Sequence, residues 1–112
     1  MTEAALIYTT WPDAATAEAA AGTLLDEGLI ACANVLGPMR SVYRWKGEVC
    51  TDAEVAVIFK TGAAQADACA ARIVALHPYD EPAVVRLGVQ AEGSSAGFLA
   101  WIAEQTASPR GS

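Results

Sequence analysis

Basic residues are scarce in this chain: seven lysines and arginines stand against thirteen aspartates and glutamates, for a formal charge of −6. That balance excludes nucleic acid and anionic lipid membranes as main partners, because both are held by clustered Lys and Arg. Cations are its natural counterparts. Long apolar runs are also missing. The longest uncharged stretch of the first half, Gly28 to Met39, is too short to span a bilayer and is broken by Asn34, Gly37 and Pro38. Histidine occurs once, at His77, and cysteine three times, at Cys32, Cys50 and Cys69, with no Cys-x-x-Cys pair. Neither a disulfide framework nor a zinc ribbon fits that spacing. A Ser-His-Asp set, a glycine-rich phosphate loop and a histidine-rich metal motif are all absent, so the chain is expected not to be an enzyme. Its opening, Met1-Thr2-Glu3, has no basic region and no apolar signal core, from which a cytoplasmic location is expected.

What is present is apolar. Of the 112 residues 54% are hydrophobic and only 18% charged, above the ~45–50% apolar content of an ordinary soluble domain. One core suffices for this length, so residues 1–107 are expected to form a single domain and 108–112 a frayed tail. Ala4 to Thr10 reads as a strand ended by Trp11-Pro12-Asp13, with Asp13 as N-cap of a helix whose inner positions are Ala17, Ala20, Ala21 and Leu24 and whose C′ residue is Gly28. Leu29 to Trp45 reads as one long strand bent at Gly37-Pro38. Lys46-Gly47 forms a hairpin tip, and Glu48 to Thr61 the returning strand. Gln65 to Leu76 is helical with Ala66, Cys69, Ile73 and His77 on one face, and Pro78 stops it. Ala83 to Gln90 is a fourth strand, and Ser94 or Ser95 caps a last helix carrying Phe98, Trp101 and Ile102.

This order predicts an α/β (α+β) fold of the ferredoxin-like, split βαβ kind: a four-stranded antiparallel sheet, helices on one face, and an extra C-terminal helix. Leu29–Leu36 and Val55–Phe59 nevertheless offer apolar residues to both faces. Each large aromatic left in water would forgo roughly 4–6 kcal/mol gross, from ~150–250 Å² at ~25 cal/mol/Å², so another subunit is the expected cover. Val55-Ala56-Val57-Ile58-Phe59-Lys60 lacks the interleaved basic and aromatic residues of an RNA-recognition strand, which fits the acidic composition in excluding RNA.

Several segments, in order and spacing, resemble one family. Thr10-Trp11-Pro12-Asp13, Gly28-Leu29-Ile30-Ala31-Cys32-Ala33-Asn34, Ser41-Val42-Tyr43-Arg44-Trp45-Lys46-Gly47-Glu48, Lys60-Thr61, His77-Pro78-Tyr79-Asp80-Glu81-Pro82 and Trp101-Ile102 are similar to the signatures of the CutA divalent-cation tolerance proteins. The resemblance covers almost the whole chain. It implies a ferredoxin-like homotrimer, similar in outline to the P-II signal-transduction regulators, a link to tolerance of copper and other divalent cations, and no agreed catalytic reaction. Animal relatives are associated with anchoring a membrane enzyme. It also implies a copper site built from a first-strand cysteine and a His-His pair ending the second helix. At those positions this chain carries Thr9, Leu76 and His77, so only His77 matches.

His77 is the candidate metal ligand, with Asp80 and Glu81 as added oxygen donors; the alternative is a histidine that caps carbonyls at a helix end. Cys32, in an apolar strand, is a second candidate ligand or a small hydrophobe. Tyr43 and Trp45 alternate on an extended segment, as a ligand platform or interface packing, beside Arg40, Arg44 and Lys46. Tyr79, between two prolines, suits either a cleft or a docking turn. Two functions follow: a trimeric cation-homeostasis protein binding copper or another divalent cation near intersubunit clefts, or a P-II-like small-ligand regulator or scaffold.

Overall fold

The computed structural model describes residues 4–109. Strand β1 (Ala4–Trp11) leads to helix α1 (Ala14–Asp26), then strands β2 (Cys32–Trp45) and β3 (Glu48–Gly62). A 3-10 turn at Ala63–Gln65 opens helix α2 (Ala66–Leu76), followed by strand β4 (Val84–Gly88) and helix α3 (Ala96–Gln105). The strands form one antiparallel sheet in the order β2-β3-β1-β4, which is the expected ferredoxin-like arrangement. Of the anticipated tail, residues 110–112 lie outside the described residues.

Local chemistry accounts for the boundaries. The Asp13 carboxylate accepts the Thr16 backbone N–H at 2.7 Å and so caps α1. Gly28, at φ +72, turns the chain out of the helix, and the Leu29 N–H donates to the Leu24 carbonyl at 3.0 Å. The anticipated strand from Leu29 therefore begins three residues later, at Cys32. Leu29 and Ile30 are instead sunk into the core as a plug below α1. At the other end Lys46 (φ 49) and Gly47 (φ 80) both take the left-handed conformation, the geometry of a tight two-residue hairpin turn. The anticipated bend is also present: the register of β2 on β3 shifts between Leu36 and Met39, on either side of a cis Gly37-Pro38 bond. The fourth strand is shorter than its sequence pattern suggested.

Alternation divides the sheet. Ile7, Trp11, Val55, Val57 and Phe59 face α1 and α2 and make the main core with Ala17, Leu24, Cys69 and Ile73. The alternate residues face the other way. There α3 covers one end, packing Leu99 and Ile102 against Ala4 and Ala31. The apolar stripe of α3 is thus Leu99 and Ile102, while Phe98 and Trp101 are stacked on each other at 5.6 Å and stay partly exposed. On the rest of this side Leu36, Val85 and Leu87 remain 47%, 50% and 41% exposed. Arg72 of α2 bridges to Glu27 with two 2.8 Å hydrogen bonds, tying the two helices together.

Candidate functional site

β1 stops at Trp11, opposite Val55, so residues 39–54 of β2 and β3 continue past the sheet as a two-stranded arm. Pairing of Met39 with Glu54, Ser41 with Asp52, Tyr43 with Cys50 and Trp45 with Glu48 puts these residues on one face of the arm. Arg40, Val42 and Arg44 take the other face, which separates the two arginines from Tyr43 and Trp45. The first face forms one wall of a groove of about 730 Å³. The segment after α2 forms the other, through Tyr79, Asp80, Glu81 and Ala83, and Thr10 lies at the floor.

One hydrogen bond from a phenol to a carboxylate joins the two walls, and a second lies within the arm. Tyr79 Oη donates to Glu54 Oε2 at 3.0 Å, and Tyr43 Oη donates to Asp52 within the arm. The Tyr43 phenol is pushed up to about 12, chiefly by that hydrogen bond to Asp52. Tyr79 is also pushed up to about 12, first by partial burial and then by its bond to Glu54. Both phenols therefore remain protonated donors across the physiological range.

His77 sits behind the groove rather than in it. It is buried, stacked on Trp11 at 4.1 Å and tilted against Tyr79 at 4.8 Å. The Tyr79 backbone N–H can only donate, so Nδ1 accepts it, at 3.1 Å; Nε2 then carries the hydrogen and donates to the Thr10 carbonyl at 2.7 Å. Both ring nitrogens are thus engaged by backbone, and the imidazole pins the loop bearing Tyr79, Asp80 and Glu81 to the end of β1. Thr9 is fully buried. Its hydroxyl donates to the Val57 carbonyl at 3.1 Å and accepts the Trp11 indole N–H at 2.6 Å. Leu76 packs against the main core.

The three cysteines stand apart. Cys32 opens β2 opposite Lys60, on the side of the sheet away from α1 and α2; Cys50 lies on the arm; Cys69 is buried beneath α2, where loss of solvent pushes its thiol up to about 12. Among the described residues, no three His, Cys, Asp or Glu side chains are grouped to hold a metal ion, and no helix is long and apolar enough to cross a membrane.

The structure therefore brings together Tyr43, Trp45, Tyr79, Asp80 and Glu81, all of them legible in the sequence, and leaves His77 behind them and Cys32 elsewhere. Ser41, Asp52 and Glu54 were missed. Counting by twos from the Lys46-Gly47 tip would have found them, because each shares the arm face with Tyr43 and Trp45.

A ferredoxin-like subunit with an acidic, aromatic-lined groove defines the class. Comparison with known proteins defines the family. A sequence model of CutA1, the divalent ion tolerance protein, matches residues 5–105. The divalent-cation tolerance protein CutA of Pyrococcus horikoshii is 43% identical over 101 residues, covering 90% of this chain and 96% of its own. That of Thermus thermophilus is 39% identical with the same coverage. The crystal structure of divalent ion tolerance protein CutA1 from Ehrlichia chaffeensis superposes with a TM-score of 0.87 at 34% identity, covering 95% of this chain and 97% of its own. The chain belongs to the CutA1 family.

Proposed function

We propose that this protein serves divalent-cation tolerance in the cytoplasm as a homotrimer, without catalysis, taking up copper or another divalent cation weakly at grooves close to subunit boundaries. The observation that carries this reading is the groove itself: Asp52, Glu54, Asp80 and Glu81 line it together, with no Lys or Arg among the described lining residues. Carboxylate oxygens attract divalent cations broadly. The lack of a ready-made group of three ligands supports weak binding, completed by oxygens from a neighbouring subunit. Trimer formation is supported by the exposed Leu36, Val85 and Leu87, an apolar surface that a second subunit would cover. Family membership supports the tolerance role.

Native mass spectrometry during copper titration tests the proposal, reading subunit number and bound metal in the same spectra. Trimers taking up metal in multiples of three, and losing it with Asp80→Asn plus Glu81→Gln, would support it. A trimer that takes up no metal would sink the metal site.

The size of the groove and its three aromatic residues favour a second reading, a P-II-like regulator that binds a small organic ligand and signals to a protein partner. A structural response to a metabolite but not to metal would select it.

A further inference from the structure

We propose that the groove between the arm and the 79–83 segment takes a substituted organic ammonium cation, held against the rings of Tyr43, Trp45 and Tyr79 and neutralised by Asp80 and Glu81. The inference deepens the small-ligand reading by naming the ligand's chemical class, and rests on that reading for its use in signalling.

Three features point to this class. The first is the composition of the walls, which join three aromatic side chains to four carboxylates. A bare divalent cation wants oxygen ligands and gains little from ring faces. An alkylated ammonium, weakly hydrated and with few or no N–H groups, is the cation that aromatic faces favour.

The second is the division of labour among the carboxylates. Asp52 and Glu54 already accept the Tyr43 and Tyr79 phenols. A phenol donating to a carboxylate has a more electron-rich ring, which strengthens its attraction for a cation. The ion pairs among the described residues join Arg72 to Glu27 and Arg86 to Asp67, so Asp80 and Glu81 bring uncompensated charge to the groove.

The third is Lys46. Its Nζ lies 5.9 Å from the Trp45 ring centroid, so the chain's own ammonium already occupies that ring at the outer limit of a cation–π contact. The Trp45 ring thus already draws an ammonium within the chain itself.

Calorimetric titration of the intact protein in its native oligomeric state tests this, with choline as probe and 3,3-dimethylbutan-1-ol, its uncharged isostere, as control. Choline is expected to bind about tenfold or more tightly than the alcohol, the size of a partly desolvated cation–π contact. Trp45→Ala, at an exposed position on the arm, is expected to lose that margin while the protein keeps its circular dichroism spectrum. Lys46→Ala is expected to tighten choline binding by removing a like charge beside Trp45. Equal binding of choline and the alcohol would overturn the proposal, as would no choline binding at millimolar concentration. Binding of ATP with none of choline would overturn it too, while leaving the small-ligand regulator reading standing. Copper is titrated alone in parallel, so failure of the metal site is read separately.

Discussion

His77, Thr9 and Trp11 form a single buried polar thread through the first strand, and each hydrogen-bonding group in it has a partner. The Thr9 hydroxyl both donates and accepts, and among the described residues the Trp11 indole N–H has no other acceptor than Thr9. Thr9→Val keeps the volume and orphans the indole N–H, for which a loss of about 1–3 kcal/mol is expected in denaturant unfolding. The same reasoning applies to His77→Ala, which releases the Tyr79 N–H and uncovers Trp11. That variant is expected to raise hydrogen exchange in the 77–83 segment more than in α1.

The phenols supply a pH test. Tyr43 and Tyr79 are raised from 10.0 to about 12 in the folded protein, so the protonated form is the one that folding favours. Their contribution is complete below pH 10 and is lost as pH rises from 10 to about 12. Spectrophotometric titration is expected to show phenolate appearing late, and Tyr43→Phe or Tyr79→Phe each to remove part of that late rise.

At the level of elements, the arm is the part most dependent on backbone geometry. Gly47 sits at φ +80 with open space around it, so Gly47→Ala meets only the left-handed penalty, about 1–2 kcal/mol. Gly37, at φ +146, would bring an added Cβ to 3.1 Å from Val55 Cγ1, so Gly37→Ala is expected to cost more than Gly47→Ala in thermal melts. Both glycines were legible as turns, because Lys46-Gly47 lies between alternating residues and Gly37-Pro38 interrupts an apolar run. The Asp13 cap was equally legible, and of Ser94 and Ser95, both open in the sequence, the structure selects Ser95. What the sequence concealed depended on tertiary competition. Leu29-Ile30-Ala31 has strand composition, but the Leu29 N–H is claimed by the helix end and its carbonyl by the Thr61 hydroxyl at 2.7 Å, so pairing starts later. Which side of α3 turns inward depends on tertiary packing in the same way: Leu99 and Ile102 pack on Ala4 and Ala31, small residues distant in sequence. The groove was half legible. The polar and aromatic run from His77 to Glu81 announced itself, but its opposite wall exists only because the hairpin outgrows its neighbouring strand.

At the scale of the molecule, the proposed trimer calls for a cover on the side of the sheet away from α1 and α2. Val85 and Leu87 on β4 point away from the main core, beside Tyr8 and Leu6 of β1. Paired Val85→Asp and Leu87→Glu substitutions are expected to leave the subunit folded and to lower its mass in analytical ultracentrifugation to that of a smaller species. An unchanged mass would count against this face as the seam of the proposed trimer.

The division between core and groove carries an evolutionary corollary. None of the groove-lining side chains is fully buried, and the core that holds the sheet to its helices is made of other residues. Substitutions in the lining therefore disturb the core little, so the fold by itself leaves the groove free to change specificity while the architecture stays constant. Trp45, Asp80 and Glu81 nevertheless stand in segments that resemble the family's signatures, so a ligand common to relatives, rather than the fold, would be what holds them constant.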